Sequence, residues 1–182
     1  MARHSKWHKV KQFKGAIDAK RSASFTKLAR VITVEAREKG ADPDMNAGLR
    51  AAIARARDAS MPKDAIERAI QKGAGGGAEG QIESLTYEAY APGGIALIIE
   101  SLTDNRNRTV AEMKHVLSKA GGSLVKTGSV TYLFDRVMGE EGFEWVPKML
   151  IEVDEEIGTK TAELIELLEE HDDVKRVYSN LA

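Results

Sequence analysis

A run of glycines divides the chain into two parts with different residue patterns. Five of the eight residues in 73–80 are glycine, which predicts a flexible linker rather than a helix or a strand. Apolar side chains recur at helical spacing before the run, whereas short apolar runs rich in strand formers follow it. The sequence therefore predicts a basic tail plus helical domain over 1–72, a Gly-rich linker over 73–81 and an α+β domain over 82–182.

The first part contains three amphipathic segments. Apolar residues recur every three or four positions from Leu28, from Leu49 and from Ile66. Asn46 is placed to cap the second segment, and Pro62 lies where the third begins, because proline is tolerated in a first helical turn. These features predict an all-helical N-terminal domain.

The second part alternates strand and helix patterns. Strands are predicted over 85–90, 95–99, 130–134, 149–153 and 174–178, with one helix beginning at a capping box of Thr109 and Glu112 and another over 162–170. This order, ββαβ followed by βαβ, predicts one sheet with helices on one face, an α+β sandwich.

The net charge of -1 conceals a strong asymmetry. Residues 1–72 hold 17 Lys and Arg against 8 Asp and Glu, whereas residues 73–182 hold 10 against 20. A basic half joined to an acidic half indicates a polyanionic partner, most often nucleic acid. The alternative is a solvated helical surface whose excess charge has no partner.

Nine residues of the tail and the first helix are the predicted nucleic-acid contacts. They are Lys6, Trp7, Lys9, Lys11, Lys14, Lys20, Arg21, Lys27 and Arg30. Lysines make phosphate contacts that do not depend on base sequence. Trp7 either stacks on a base or pins the tail to the helical domain. Because the sequence shows no clear recognition-helix motif, it does not support readout of specific bases.

A second polar patch lies at the predicted start of a helix. It consists of Asp104, Asn105, Asn107, Arg108 and Thr109. Arg108 and the neighbouring Arg106 put two arginines at a helix N-terminus, where the dipole favours an anion, and this is typical of a phosphate site. Equally, such side chains often serve only to cap the helix and build the turn.

Several function classes find no support in the sequence. The absence of cysteine excludes thiol nucleophiles, iron–sulfur clusters and zinc sites that use cysteine. The G-x-G-x-x-G match at 75–80 follows a helix instead of a strand, which disfavours a dinucleotide cofactor. His4 and His8 lie in basic surroundings without a carboxylate, so no metal site is expected, and His115 and His171 are predicted to be surface residues. We expect a cytoplasmic protein without catalytic activity, cofactor, metal or membrane association.

The ordered motifs of the chain resemble those of the YebC/PmpR family. In the first part they are His4-Ser5-Lys6-Trp7, Phe25-Thr26-Lys27-Leu28, Asp42-Pro43 with Asn46, Leu49-Arg50-Ala51-Ala52-Ile53 and Met61-Pro62-Lys63-Asp64. In the second part they are Tyr87-Glu88, Pro92-Gly93-Gly94, residues 102–109 and Gly128-Ser129-Val130. Motifs of this length and order are highly specific.

The resemblance implies a helical first domain, a ferredoxin-like second domain and no catalysis. Members of the family are commonly described as DNA-binding transcriptional regulators. Related proteins, including the mitochondrial translational activator of cytochrome oxidase, resemble ribosome-associated factors that assist elongation through difficult stretches such as prolines. The implied partner is therefore duplex DNA or ribosomal RNA.

One departure from the family pattern is large. Full-length members insert a further small α+β domain after the strand that ends near Phe134. Here only about residues 137–147 occupy that place, too few to form a domain. We expect a short form in which this insertion is reduced to a loop-sized segment.

Overall fold

The computed structural model describes residues 24–75, 82–139 and 142–182. In these ranges the helices are α1 (24–39), α2 (Ala47–Asp58), α3 (Lys63–Ala74), α4 (Arg106–Lys119) and α5 (Glu155–Glu170). The strands are β1 (Glu83–Tyr90), β2 (Ala96–Thr103), β3 (Ser123–Val125), β4 (Phe134–Gly139), β5 (Gly142–Pro147) and β6 (Val174–Ser179). A helical part thus precedes an α+β part, which confirms the predicted fold class.

Helices α1, α2 and α3 share one apolar core. Ile32 of α1, Leu49 of α2 and Ile66 of α3 are all buried in it. Asn46 caps α2 as predicted, because its Oδ1 accepts a hydrogen bond of 3.0 Å from the amide of Leu49. Its Nδ2 donates to the carbonyls at residues 35 and 40, at 2.8 Å each, so the same side chain also fastens the end of α1.

The α+β part is built on a four-stranded antiparallel sheet. Its strand order is β3-β1-β2-β6, and the tight turn Pro92–Gly94 joins the two central strands. Helices α4 and α5 cover one face, where Leu97 and Ile99 of β2 meet Met113 and Leu164. The layers are those of a ferredoxin-like sandwich, although here the two central strands are consecutive in the chain.

The opposite face of the sheet has two covers. The hairpin of β4 and β5 packs Phe134 and Trp145 against Ile98. Beside it, Val34 of α1 contacts the apolar side chains of Ile82 and Leu102. The helical part therefore packs onto the end of this sheet face that the hairpin leaves free.

Two of the predicted strands are wrong. Residues 131–133 form a single 3₁₀ turn, and β4 begins only at Phe134, because a buried carboxylate captures the backbone amides of residues 130 and 131. Met149–Val153 shortens to one parallel bridge between Ile151 and Leu181, since the chain turns into α5 at its N-cap Asp154. Within the described ranges, no helix is both long and apolar enough to cross a bilayer.

The segment expected to be a remnant of an insertion is a β-hairpin. Strands β4 and β5 pair from Phe134 opposite Pro147 to Gly139 opposite Gly142. Strand β5 was not among the predicted elements, nor was the short strand β3. The hairpin fills the position at which the resemblance implies a further domain.

Candidate nucleic-acid interface

Most of the predicted nucleic-acid contacts belong to the tail. Lys6, Trp7, Lys9, Lys11, Lys14, Lys20 and Arg21 lie outside the described residues, so their role stays a prediction. The structure places the other two, Lys27 and Arg30, one turn apart on α1. Both point toward the α+β part.

Lys27 and Arg30 contact the segment that joins α5 to β6. Arg30 donates from Nη1 to the carbonyl oxygen of Asp172 at 2.7 Å and to the carboxylate of Asp173 at 2.5 Å. Lys27 donates from Nζ to the carbonyl oxygen of Glu169. Burial lowers the pKa of Lys27, and the nearby carboxylates of Asp172 and Glu169 offset this only in part. We call this contact between α1 and residues 169–173 the seam.

Asp173 is the centre of the seam. Its side chain is only 2% exposed. Besides Arg30, it accepts a hydrogen bond of 3.0 Å from Arg108 Nη2 and one of 2.7 Å from Thr109 Oγ1. Thr103 Oγ1 lies 3.2 Å from the same carboxylate and donates to it. One carboxylate therefore joins α1, α4 and the end of β2.

The environment of Asp173 favours its charged form. Burial by itself raises the pKa of this carboxyl group. The hydrogen bonds from Thr109 and Arg108, with the positive charge of Arg30, outweigh burial and hold the pKa below its ordinary value. Asp173 is therefore an anion that two guanidinium groups neutralise.

The predicted second polar patch is largely part of this network. Asn105 caps α4 by accepting from the amide of Arg108 at 3.1 Å, so the capping box predicted at Thr109 is wrong. Asp104 pairs with Arg108 at 2.9 Å, and Thr109 is fully buried. Asn107 is exposed at the start of α4. The structure shows four of these side chains bound within the protein. Binding of a phosphate at this patch stays a prediction.

His171 is not the surface residue that the sequence predicts. Its ring Nε2 lies 2.7 Å from the carboxylate of Glu112, and its Nδ1 accepts from the amide of Asp173 at 3.0 Å. Its side chain is 15% exposed. Glu112, His171 and Asp173 bring their polar atoms close together, but the carboxylate of Asp173 already faces two guanidinium groups. This arrangement suits an ion-pair network better than a cation.

Sequence reasoning missed two cations on α3. Arg68 and Lys72 are both exposed and line a groove of about 440 Å³ between α1 and α3, which Arg30 also lines. Their spacing of four residues places them on the same side of the helix. That spacing was present in the sequence, but only the contact between α1 and α3 shows which groove they face.

Comparison with known proteins covers nearly the whole chain. Residues 5–76 match the model of the TACO1/YebC protein N-terminal domain. Residues 82–138 and 137–181 match the model of the TACO1/YebC second and third domain. The two segments of the second match meet within β4 of the hairpin.

Curated relatives and a solved structure agree with these matches. A "Probable transcriptional regulatory protein" of Rubrobacter xylanophilus is 40% identical over 237 residues, covering 99% of this chain and 95% of the relative. A protein of the same name from Fervidobacterium nodosum is 55% identical over 136 residues, covering 75% of this chain and 54% of the relative. The crystal structure of a conserved hypothetical protein of Aquifex aeolicus superposes with a TM-score of 0.83 at 35% identity, covering 91% of this chain and 92% of that one.

The alignment with the Rubrobacter relative is longer than this chain. The match to the Rubrobacter protein spans 237 positions, whereas this chain has 182 residues. The relative therefore carries residues for which this chain has no counterpart. The point at which the second family match divides, residues 137–138, agrees with the place where the hairpin stands.

Proposed function

The chain belongs to the TACO1/YebC family, and we propose that it is a DNA-binding transcriptional regulator that acts by binding and not by catalysis. The names of its relatives support a regulatory role. Its partner in this proposal is duplex DNA, its site of action is the cytoplasm, and no cofactor takes part. Because α3 continues through Ala74, the predicted linker begins later than residue 73, and in this proposal the glycine-rich segment after α3 joins the half that binds DNA to the half that supports it.

The segregation of charge carries this proposal. Residues 1–72 hold nine more cations than anions, and residues 73–182 hold ten more anions than cations. A basic segment of this size neutralises phosphates and releases their counterions, which gives an affinity that falls with salt. The acidic half repels the same polyanion, so the DNA is held at one end of the molecule.

A ribosome-associated translation factor is the alternative. The observation that favours it is the predominance of lysine in the tail, because lysine contacts the phosphates of any nucleic acid and reads no base. Ribosomal RNA offers such phosphates at high density. In this case the protein would assist elongation through difficult stretches, such as runs of proline.

Charge reversal in the tail tests the proposal. Replacing Lys11, Lys14 and Lys20 with glutamate is expected to weaken binding to duplex DNA by roughly tenfold or more at about 0.15 M salt, because each lost phosphate contact removes a counterion-release contribution. Fluorescence anisotropy with a labelled duplex measures the affinity.

The matched control reverses three exposed lysines of the α+β part, Lys114, Lys119 and Lys126. It changes the net charge by the same amount and is expected to weaken binding by less than about twofold. Equal losses in the two variants would mean that overall charge, and not the basic half, determines affinity. Undiminished binding by the tail variant would refute the proposal.

A further inference from the structure

Several small side chains line the groove between α1 and α3, together with the longer Met61 and Ile82. Ala29 of α1 and Ala65 and Ala69 of α3 line it. Thr33 closes the contact between the two helices by donating from Oγ1 to the carbonyl oxygens of Ala29 and Ala69, at 2.9 and 3.1 Å. Because alanine side chains are short, a ligand can approach the helix backbones closely at these three positions.

Cations from both helices stand along this groove. Arg68 and Lys72 come from α3, and Arg30 comes from α1. Among the described residues, neither Arg68 nor Lys72 forms an ion pair or a side-chain hydrogen bond. Because no carboxylate of the described ranges pairs with Arg68 or Lys72, both remain able to bind an anion there.

The seam holds the third cation in place. Both hydrogen bonds from Arg30 to the segment of Asp172 and Asp173 use the same nitrogen, Nη1. The position of the guanidinium group is therefore set by the protein before any ligand arrives. A cation that is already ordered loses less side-chain entropy on binding than a free one.

One carboxylate also lines the groove. Asp104 lies at its edge, but this carboxylate pairs with Arg108 at 2.9 Å. Its charge is thus largely compensated from outside the groove. Arg30 and Arg108 together balance Asp173 and Asp104, so Arg68 and Lys72 supply the net positive charge of the groove, which favours an anionic ligand with repeated charges.

We infer that this groove binds the sugar–phosphate backbone of a nucleic-acid strand, with Arg68 and Lys72 on one wall and Arg30 on the other contacting neighbouring phosphates. The inference rests on the proposed nucleic-acid function and assigns it a site in the described part of the chain. A positively charged groove that follows the backbone is the usual way to hold a strand without reading its bases. One strand of a duplex and a single RNA strand present the same phosphodiester chemistry.

Paired substitutions on α3 test the site. The double variant Arg68→Glu with Lys72→Glu is expected to bind a labelled duplex of about 20 base pairs at least tenfold more weakly at about 0.15 M salt. The milder pair Arg68→Gln with Lys72→Gln is expected to reduce the slope of log affinity against log salt by about 1.8, since each duplex phosphate contact contributes about 0.9. A single RNA strand of equal length serves as the second probe. The two affinities show whether the groove prefers the backbone of a DNA duplex or that of an RNA strand.

The control is Arg57→Glu with Lys63→Glu. Both residues are exposed, lie in the same helical part and do not line the groove, and their reversal changes the net charge equally. If the groove pair and this control lose affinity equally for both probes, the groove is refuted while the nucleic-acid function stands. If the unaltered protein binds neither probe, the proposed function fails and the groove fails with it. Loss confined to the groove pair, on either probe, supports the inference.

Discussion

Replacing Asp173 with alanine is expected to lower the free energy of unfolding by about 3 kcal/mol, because removing one partner of a buried ion pair leaves charges uncompensated. Asp173 is 2% exposed and neutralises both Arg30 and Arg108. Its loss also leaves the buried hydroxyl of Thr109 without its carboxylate acceptor. Urea denaturation followed by circular dichroism measures the change.

The control for this substitution is Asp104→Ala. Asp104 pairs with the same Arg108, at 2.9 Å, but its side chain is 43% exposed. An exposed ion pair contributes at most about 0.5 to 1 kcal/mol, so this variant is expected to remain close to the unaltered protein. Equal and small effects of the two substitutions would contradict the assignment of Asp173 as the centre of the seam.

Protonation of Asp173 makes the stability of the protein depend on pH in the acid range. Because the pKa of Asp173 is lower in the folded than in the unfolded protein, its contribution is fully present above the unfolded value of about 3.9. That contribution is lost as the pH falls through the folded value. The stability of Asp173→Asn should therefore fall less steeply below about pH 4 than that of the unaltered protein. An equally steep loss of stability with falling pH in the two proteins would contradict a lowered pKa of Asp173.

Replacing Glu88 with alanine should cost about 3 to 4 kcal/mol, because each buried donor left without an acceptor costs about 1 to 3 kcal/mol. Glu88 is 3% exposed, and its two oxygens accept from the amides of Gly128, Val130 and Thr131 at 2.7, 2.5 and 3.1 Å. These bonds hold the turn that buries Val130 under the sheet. The midpoint of urea unfolding reports the loss.

Glu83→Ala is the matched control for Glu88. Glu83 lies on the same strand, β1, but is exposed, so its removal is expected to change stability by less than about 0.5 kcal/mol. A second variant, Glu88→Gln, retains the size of the side chain but presents an amide N–H₂ to backbone donors. It should recover only part of the loss. Full recovery would show that the packing of the side chain, and not its two carboxylate oxygens as acceptors, holds the turn.

Local signals explain what the sequence predicts well. Asn46 is a strong N-cap residue, and its capping bond needs only the amide three positions later. The apolar spacing of α1, α2 and α3 likewise depends on neighbours within one helix. The charge asymmetry is a property of composition and needs no fold. These are the features on which the fold class and the nucleic-acid hypothesis rest.

Long-range partners explain what the sequence predicts poorly. Residues 130–134 are rich in strand formers, yet the carboxylate of Glu88, more than 40 positions earlier, takes their amides and produces a 3₁₀ turn. Asp104–Thr109 looks like an exposed anion site until Asp173, 64 residues after Thr109, is brought beside it. Helix α5 begins at Glu155, earlier than predicted, because Asp154 caps a first turn in which Gly158 weakens the helical pattern.

The groove cations show an intermediate case. The spacing of Arg68 and Lys72 is visible in the sequence, but so is that of many solvated pairs. What distinguishes this pair is the groove that it lines together with Arg30 of the neighbouring helix, and this groove requires the packing of α1 on α3. Functional residues of this kind are found only after the tertiary contacts are known.

A direct competition tests the central claim, that the basic half serves to bind DNA. Labelled protein is offered ribosomes and duplex DNA together at about 0.15 M salt, where simple phosphate attraction is already weakened. We expect retention on DNA, and its loss in the variant with Lys11, Lys14 and Lys20 replaced by glutamate. Retention on ribosomes with no protein on DNA would contradict it and would make the chain a translation factor.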